Sequence, residues 1–97
     1  MATKKTKEEL LNFMESTYTA LIDIRTTDEY DKRHIPGSIN KEATTLLNNI
    51  DELSKFKTIV CICNHGHKRS QQAADTLISA GLNNIYYLEG GVDGWFQ

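Results

Sequence analysis

Two kinds of apolar pattern alternate along the chain. Residues 18–24, 57–62 and 84–88 contain short continuous runs, with Ala20-Leu21-Ile22 and Thr58-Ile59-Val60 at the centres of the first two. Runs of that length without polar alternation suit strands covered on both faces, as in a parallel sheet. Between them, apolar residues recur at helical spacing: Leu10, Leu11, Phe13 and Met14; Leu46, Leu47, Ile50 and Leu53; Ala73, Ala74, Leu77 and Ile78. Thr6 with Glu9 and Thr26 with Glu29 each form the signature of a capping box. They predict helices running from Thr6 to about Ser16 and from Thr26 to about Lys32. His34-Ile35-Pro36-Gly37 ends the second, and Ser38-Ile39-Asn40 has room for a very short strand. A helix over 69–80 closes at Gly81. Strands alternating with helices predict an α/β domain with a mainly parallel central sheet flanked by helices and right-handed crossovers. Such sheets bind ligands at the carboxyl ends of their strands.

Length and composition narrow the reading. Ninety-seven residues make one domain, 1–97, with residues 1–5 read as a flexible terminus. Eleven Lys and Arg against 13 Asp and Glu leave a net charge of −2, which gives no argument for nucleic acid as a partner. No apolar run approaches the ~20 residues of a membrane span. The basic start, Met1 to Lys7, meets Glu8 and Glu9 where a signal peptide needs an apolar stretch. Two cysteines two residues apart, Cys61 and Cys63, cannot form a relaxed bridge, so the thiols are expected free, in a reducing compartment. The expected location is the cytoplasm.

The chemistry concentrates in Cys61-Ile62-Cys63-Asn64-His65-Gly66-His67-Lys68-Arg69-Ser70. A strand ends, a polar loop with one glycine follows, and a helix begins. Consecutive N–H groups of such a loop can cradle an anion, and the helix N-terminus adds further unpaired donors. The basic side chains of His65, His67, Lys68 and Arg69 raise the local potential. A thiol at Cys63 is therefore expected below its ordinary pKa and nucleophilic. Cys61, inside the apolar strand, reads as core. The alternation Cys61, Cys63, His65, His67 raises a metal site, but four extended residues at ~3.3 Å each spread too far for one ion. No metal and no cofactor is expected.

Over nearly its full length the chain resembles a single rhodanese (sulfurtransferase) domain. Leu21-Ile22-Asp23-Ile24-Arg25 is similar to the family's first signature strand. Tyr30 to Asn40, with His34-Ile35-Pro36-Gly37-Ser38-Ile39-Asn40, is similar to its second, and Leu88-Glu89-Gly90-Gly91 with Trp95 to its third. The resemblance implies the rhodanese-like fold, with Cys63 as the catalytic residue. Cys63 would take a sulfane sulfur from thiosulfate or a persulfide donor and pass it to a thiol, cyanide or protein acceptor. Asn64, His65, Gly66, His67, Lys68, Arg69 and Ser70 would form the anion- and substrate-binding loop. Two departures stand out. Ser38 and Lys41 replace small apolar residues of the second signature. The loop reads Cys-x5-Arg, one residue longer than the family's usual spacing, and so also matches the phosphate loop of Cys-dependent phosphatases and arsenate reductases. The residue before Cys63 is Ile62 rather than the histidine usual in phosphatases, and residues 64–68 hold no carboxylate to act as general acid. Two alternatives remain: a phosphatase or arsenate reductase, and a non-catalytic rhodanese-like binding module.

Other residues read as structural. Asp23 and Arg25 are expected to form an ion pair or cap a neighbouring loop, and His34 a hydrogen-bonded turn. Gly90 and Gly91 would serve the backbone, and Trp95 would anchor the core or a lid. Lys4, Lys5 and Lys7 would be solvated. Arg69 is expected to turn its guanidinium into the loop or onto a bound anion, with Lys68 more mobile.

Overall fold

The computed structural model describes residues 2–12 and 18–97. Five parallel strands, β1 (Thr3–Lys5), β2 (Thr19–Asp23), β3 (Ile39–Asn40), β4 (Thr58–Ile62) and β5 (Ile85–Leu88), form one sheet in the order β1-β5-β4-β2-β3. The helices are α1 (Lys7–Leu11), α2 (Thr27–Lys32), α3 (Ile50–Leu53), α4 (Lys68–Ser79) and α5 (Gly91–Trp95), and a 3-10 segment, Ala43–Asn49, leads into α3. This is the α/β arrangement with a parallel central sheet that the alternating patterns predict.

The continuous apolar strands are covered on both faces. Along β2 and β4, Ala20, Ile22, Ile59 and Cys61 point to the face carrying α4, where Leu46, Leu53, Ala73, Ala74 and Leu77 meet them. The alternate residues Leu21, Val60 and Ile62 point to the other face and pack with Leu10, Ile35, Leu88 and Val92. The strand period of two thus splits one apolar run into two cores. Full burial of each aliphatic side chain contributes about 1.5–3 kcal/mol.

Both capping boxes form as read, with the Thr6 and Thr26 hydroxyls accepting from the Glu9 and Glu29 amides. The proposed continuation of the first helix through Phe13 and Met14 lies outside the described residues. Residues 46–53, read at helical spacing, are 3-10 up to Asn49. Thr45 turns back on the Glu42 carbonyl through both its amide (2.9 Å) and its hydroxyl (2.8 Å), which tightens the turn. Poor helix formers at Thr44, Thr45, Asn48 and Asn49 offer little resistance.

The largest departure is at the N-terminus. Thr3–Lys5, read within a flexible terminus, is an edge strand paired with Tyr86, Tyr87 and Leu88 of β5. Its side chains do stay largely in solvent, as lysines on a sheet edge should. Lys4 pairs with Glu89 at 2.8 Å, and Lys7 donates to the Trp95 carbonyl at 2.7 Å, with its ammonium over the Trp95 ring.

Candidate active site

Cys63 follows directly on β4, at the carboxyl edge of the sheet, and α4 starts five residues later. Cys63 is only 3% exposed. The Gly66 N–H donates to Sγ at 3.2 Å, and the Ser70 hydroxyl, one turn into α4, lies 3.2 Å away. Burial alone pushes the Cys63 thiol up. The Ser70 hydroxyl and the amides of Ser70, Gly66 and His65 outweigh it, and the net shift is downward from the ordinary value of 9.0. Cys61, inside β4 and in the same core cluster, has no such donors, and burial pushes it up to about 12.

Gly66 is where the loop must turn. Its φ is +74°, and a Cβ there would stand 2.5 Å from the Leu88 carbonyl oxygen and 2.6 Å from the Gly90 nitrogen. Only glycine combines that left-handed conformation with so close an approach. Gly91 meets the loop from the other side: at φ +58° its absent Cβ would collide with the Cys63 carbonyl oxygen. The closeness lets α5 dock end-on. The Val92 N–H donates to the Cys63 carbonyl at 2.9 Å and the Asp93 N–H to the Asn64 carbonyl at 3.0 Å. With its carbonyls held outward by α5, the loop turns N–H groups toward the sulfur.

A second network fixes the loop's flank. Asp23 and Arg25 are an ion pair, as read: Asp23 is fully buried, Arg25 4% exposed, and Nη2 stands 2.8 Å from Oδ2. Arg25 also donates to the Arg33 carbonyl at 2.7 Å and to the Asn64 side-chain oxygen at 3.0 Å. Asn64 in turn donates to Glu29 at 2.8 Å. Arg69 does not enter the loop, the first of the two placements expected for it. It reaches outward across to α2 and pairs with Glu29 at 3.1 Å. Arg69, the Thr26 amide and Asn64 together hold the Glu29 carboxyl well below the usual carboxylate range. Glu29 was legible only as a capping residue, because its second role comes from an element distant in sequence.

Asn64, His65, His67, Lys68 and Arg69 ring a cleft of about 420 Å³ over Cys63. The His65 Nδ1 stands 3.0 Å from Asp93 Oδ2 on α5, and the other Asp93 oxygen accepts from Arg33 at 3.0 Å. Lys68 is exposed and, among the described residues, has no carboxylate partner. His34 lies outside this constellation. It stacks on Tyr30 with ring centroids 3.8 Å apart, and its Nδ1 is 2.8 Å from the Tyr30 carbonyl, the turn role read for it. Trp95 packs against the core face that carries α1 and α5. Among the described residues no cluster of His, Cys, Asp and Glu is placed to hold a metal ion, and no helix is long and apolar enough to cross a membrane.

A strand-loop-helix cysteine with its thiol pKa lowered, at the carboxyl edge of a parallel sheet, defines a class of anion-handling α/β domains. The family model for the rhodanese-like domain matches residues 6–97, and the chain belongs to that family. It is 28% identical over 92 residues to the thiosulfate sulfurtransferase GlpE of Pseudomonas syringae, covering 95% of this chain and 86% of that protein. Its fold is similar to a rhodanese-related protein from Thermoplasma volcanium (TM-score 0.83, 29% identity, 97% of this chain and 90% of that one). It is also similar to a Rhodopseudomonas palustris protein described as a possible tyrosine phosphatase (TM-score 0.88, 26% identity, 98% and 80%). Family and relatives together support a sulfurtransferase-type enzyme.

Proposed function

We propose that the domain carries a sulfane sulfur as a persulfide on Cys63, taking it from thiosulfate or another persulfide donor. It then delivers the sulfur to a thiol, cyanide or protein acceptor. The observation that carries this reading is the contrast around one sulfur. Cys63 Sγ has the Gly66 amide and the Ser70 hydroxyl each at 3.2 Å, and its pKa is lowered, while Cys61 two residues earlier is pushed up to about 12. Thiolate attack on the outer sulfur of thiosulfate leaves that sulfur on Sγ and releases sulfite. The inward amides then face the new terminal sulfur, and Lys68 and His67 at the cleft mouth attract the anionic donor.

The phosphatase reading asks for a proton for the leaving oxygen. Glu29 is held ionised by Arg69, and Asp93 is shared between Arg33 and His65, so neither carboxyl is a ready donor. Intact mass after incubation with thiosulfate tests the assignment. The expected result is a gain of one sulfur atom, removed by cyanide or reductant. No gain, together with Cys63-dependent hydrolysis of an activated aryl phosphate, would put the phosphatase first.

A further inference from the structure

We propose that His65, positioned by Asp93, is the general base that ionises a thiol acceptor in the sulfur-delivery half of the reaction; this rests on the persulfide reading of Cys63. The arrangement is built rather than incidental. Asp93 is fixed through its backbone, its N–H donating to the Asn64 carbonyl at 3.0 Å, and through Arg33, which holds Oδ1 at 3.0 Å. The remaining oxygen, Oδ2, meets His65 Nδ1 at 3.0 Å. A carboxylate at Nδ1 places the ring's proton there and leaves the Nε2 lone pair free as an acceptor. It also stabilises the imidazolium that forms when Nε2 takes a proton, the logic by which a carboxylate supports a histidine base in other enzymes. The His65 side chain is 65% exposed and lines the same cleft as Cys63. Around the ring stand Asp93 from α5 with Arg33 behind it, and the His67 ring of the same loop at 6.3 Å between ring centroids.

The step balances without an oxidant. The acceptor R–SH gives its proton to His65 Nε2, and R–S⁻ attacks the outer sulfur of Cys63–S–SH. A new S–S bond forms to the acceptor while the bond to Cys63 Sγ breaks, its electron pair staying on Sγ beside the Gly66 amide and Ser70 hydroxyl. The products are R–S–SH and the Cys63 thiolate, and the imidazolium returns its proton to solvent. A thiol of pKa about 8.5 or above arrives mostly protonated at neutral pH and needs the base. An aryl thiol already ionised at the assay pH does not.

That difference supplies the experiment. The full chain, its His65→Gln variant and its Asp93→Asn variant are loaded with sulfur and counted by intact mass. Each is then mixed in single turnover with an alkyl thiol and with an ionised aryl thiol. His65→Gln is expected to lower the alkyl-to-aryl rate ratio by about tenfold or more. Asp93→Asn should lower it by less, because an amide oxygen still accepts from Nδ1–H but carries no charge to stabilise the imidazolium. Loading with an unchanged ratio in both variants would overturn the assignment of the base while leaving the persulfide reading intact. Failure of the parent chain to load sulfur from thiosulfate or from inorganic polysulfide would overturn both.

Discussion

Cys61 lies in β4 and Cys63, two residues on, lies one residue past its end; both are nearly inaccessible, at 0% and 3% exposure. Their chemistry nonetheless diverges. The interior of β4 spends its N–H groups on ladder bonds to β2 and β5, so the Cys61 sulfur meets only apolar neighbours. One residue past the strand the ladder stops, and backbone amides become available to a side chain. Burial raises both thiols, and at Cys63 hydrogen-bond donors outweigh it. The supply of unclaimed donors decides the difference, and a parallel strand releases them at its carboxyl end.

The widest break in this comparison is kinetic. With Cys63 below 9.0 and Cys61 near 12, their thiolate fractions at neutral pH should differ by more than about 10³-fold. Peptide mapping after limited iodoacetamide treatment should find label on Cys63 almost alone. Cys63→Ser should abolish sulfur loading, and Cys61→Ser should retain it. Comparable labelling of both thiols would erase the distinction.

Gly66→Ala should come next. The left-handed φ and the clash with the Leu88 carbonyl should destabilise the fold by about 2–4 kcal/mol or displace the loop. Denaturant unfolding and the Cys63 alkylation rate should both respond. Ser70→Ala removes the donor that contributes most against burial, so the Cys63 pKa should rise and its alkylation at neutral pH slow by about tenfold. A pH–rate profile reads this directly.

Cys61 gives a pH dependence of opposite sign to the usual carboxylate. Its folded pKa is raised, so its contribution to stability is complete below the unfolded value of 9.0 and is lost as pH climbs toward about 12. Each unit in that window is worth up to about 1.4 kcal/mol. Cys61→Val should flatten the fall in melting temperature above pH 9.0, the ordinary value for the thiol.

The smallest effect belongs to the exposed flank. Glu29 lies below its ordinary 4.5, so its pairing stabilises above that pH and is lost as pH falls toward the lowered value. The pair with Arg69 is partly solvated, and Glu29→Gln should cost less than about 1 kcal/mol, shrinking with added salt.

Much of this architecture was legible in the residues. β2, β4 and β5 announced themselves as apolar runs, because burial on both faces leaves no room for polar alternation. The two capping boxes were readable since both partners sit within four residues. β1 was not, for Thr3, Lys4 and Lys5 carry no apolar signal; they join the sheet through backbone bonds, with Lys4 reaching Glu89 and Lys5 lying over the Tyr86 ring. At the site, Cys63, its loop and Ser70 could be found from strand-loop-helix spacing. The outward turn of Arg69 could not, because it depends on Glu29 forty residues away. Nor could the docking of α5, although the paired glycines at 90 and 91 were its trace in the sequence.

That docking sets a timetable. The ribosome releases the Cys63 loop well before Gly91–Trp95, the helix whose amides hold the Cys63 and Asn64 carbonyls. Until α5 emerges, the two carbonyls lack its amides, and nothing compels the loop's N–H groups to turn toward the sulfur. A chain interrupted before Gly91 would carry the cysteine without its cradle. Readiness for chemistry is thus coupled to synthesis of α5, which follows the nucleophile in the chain.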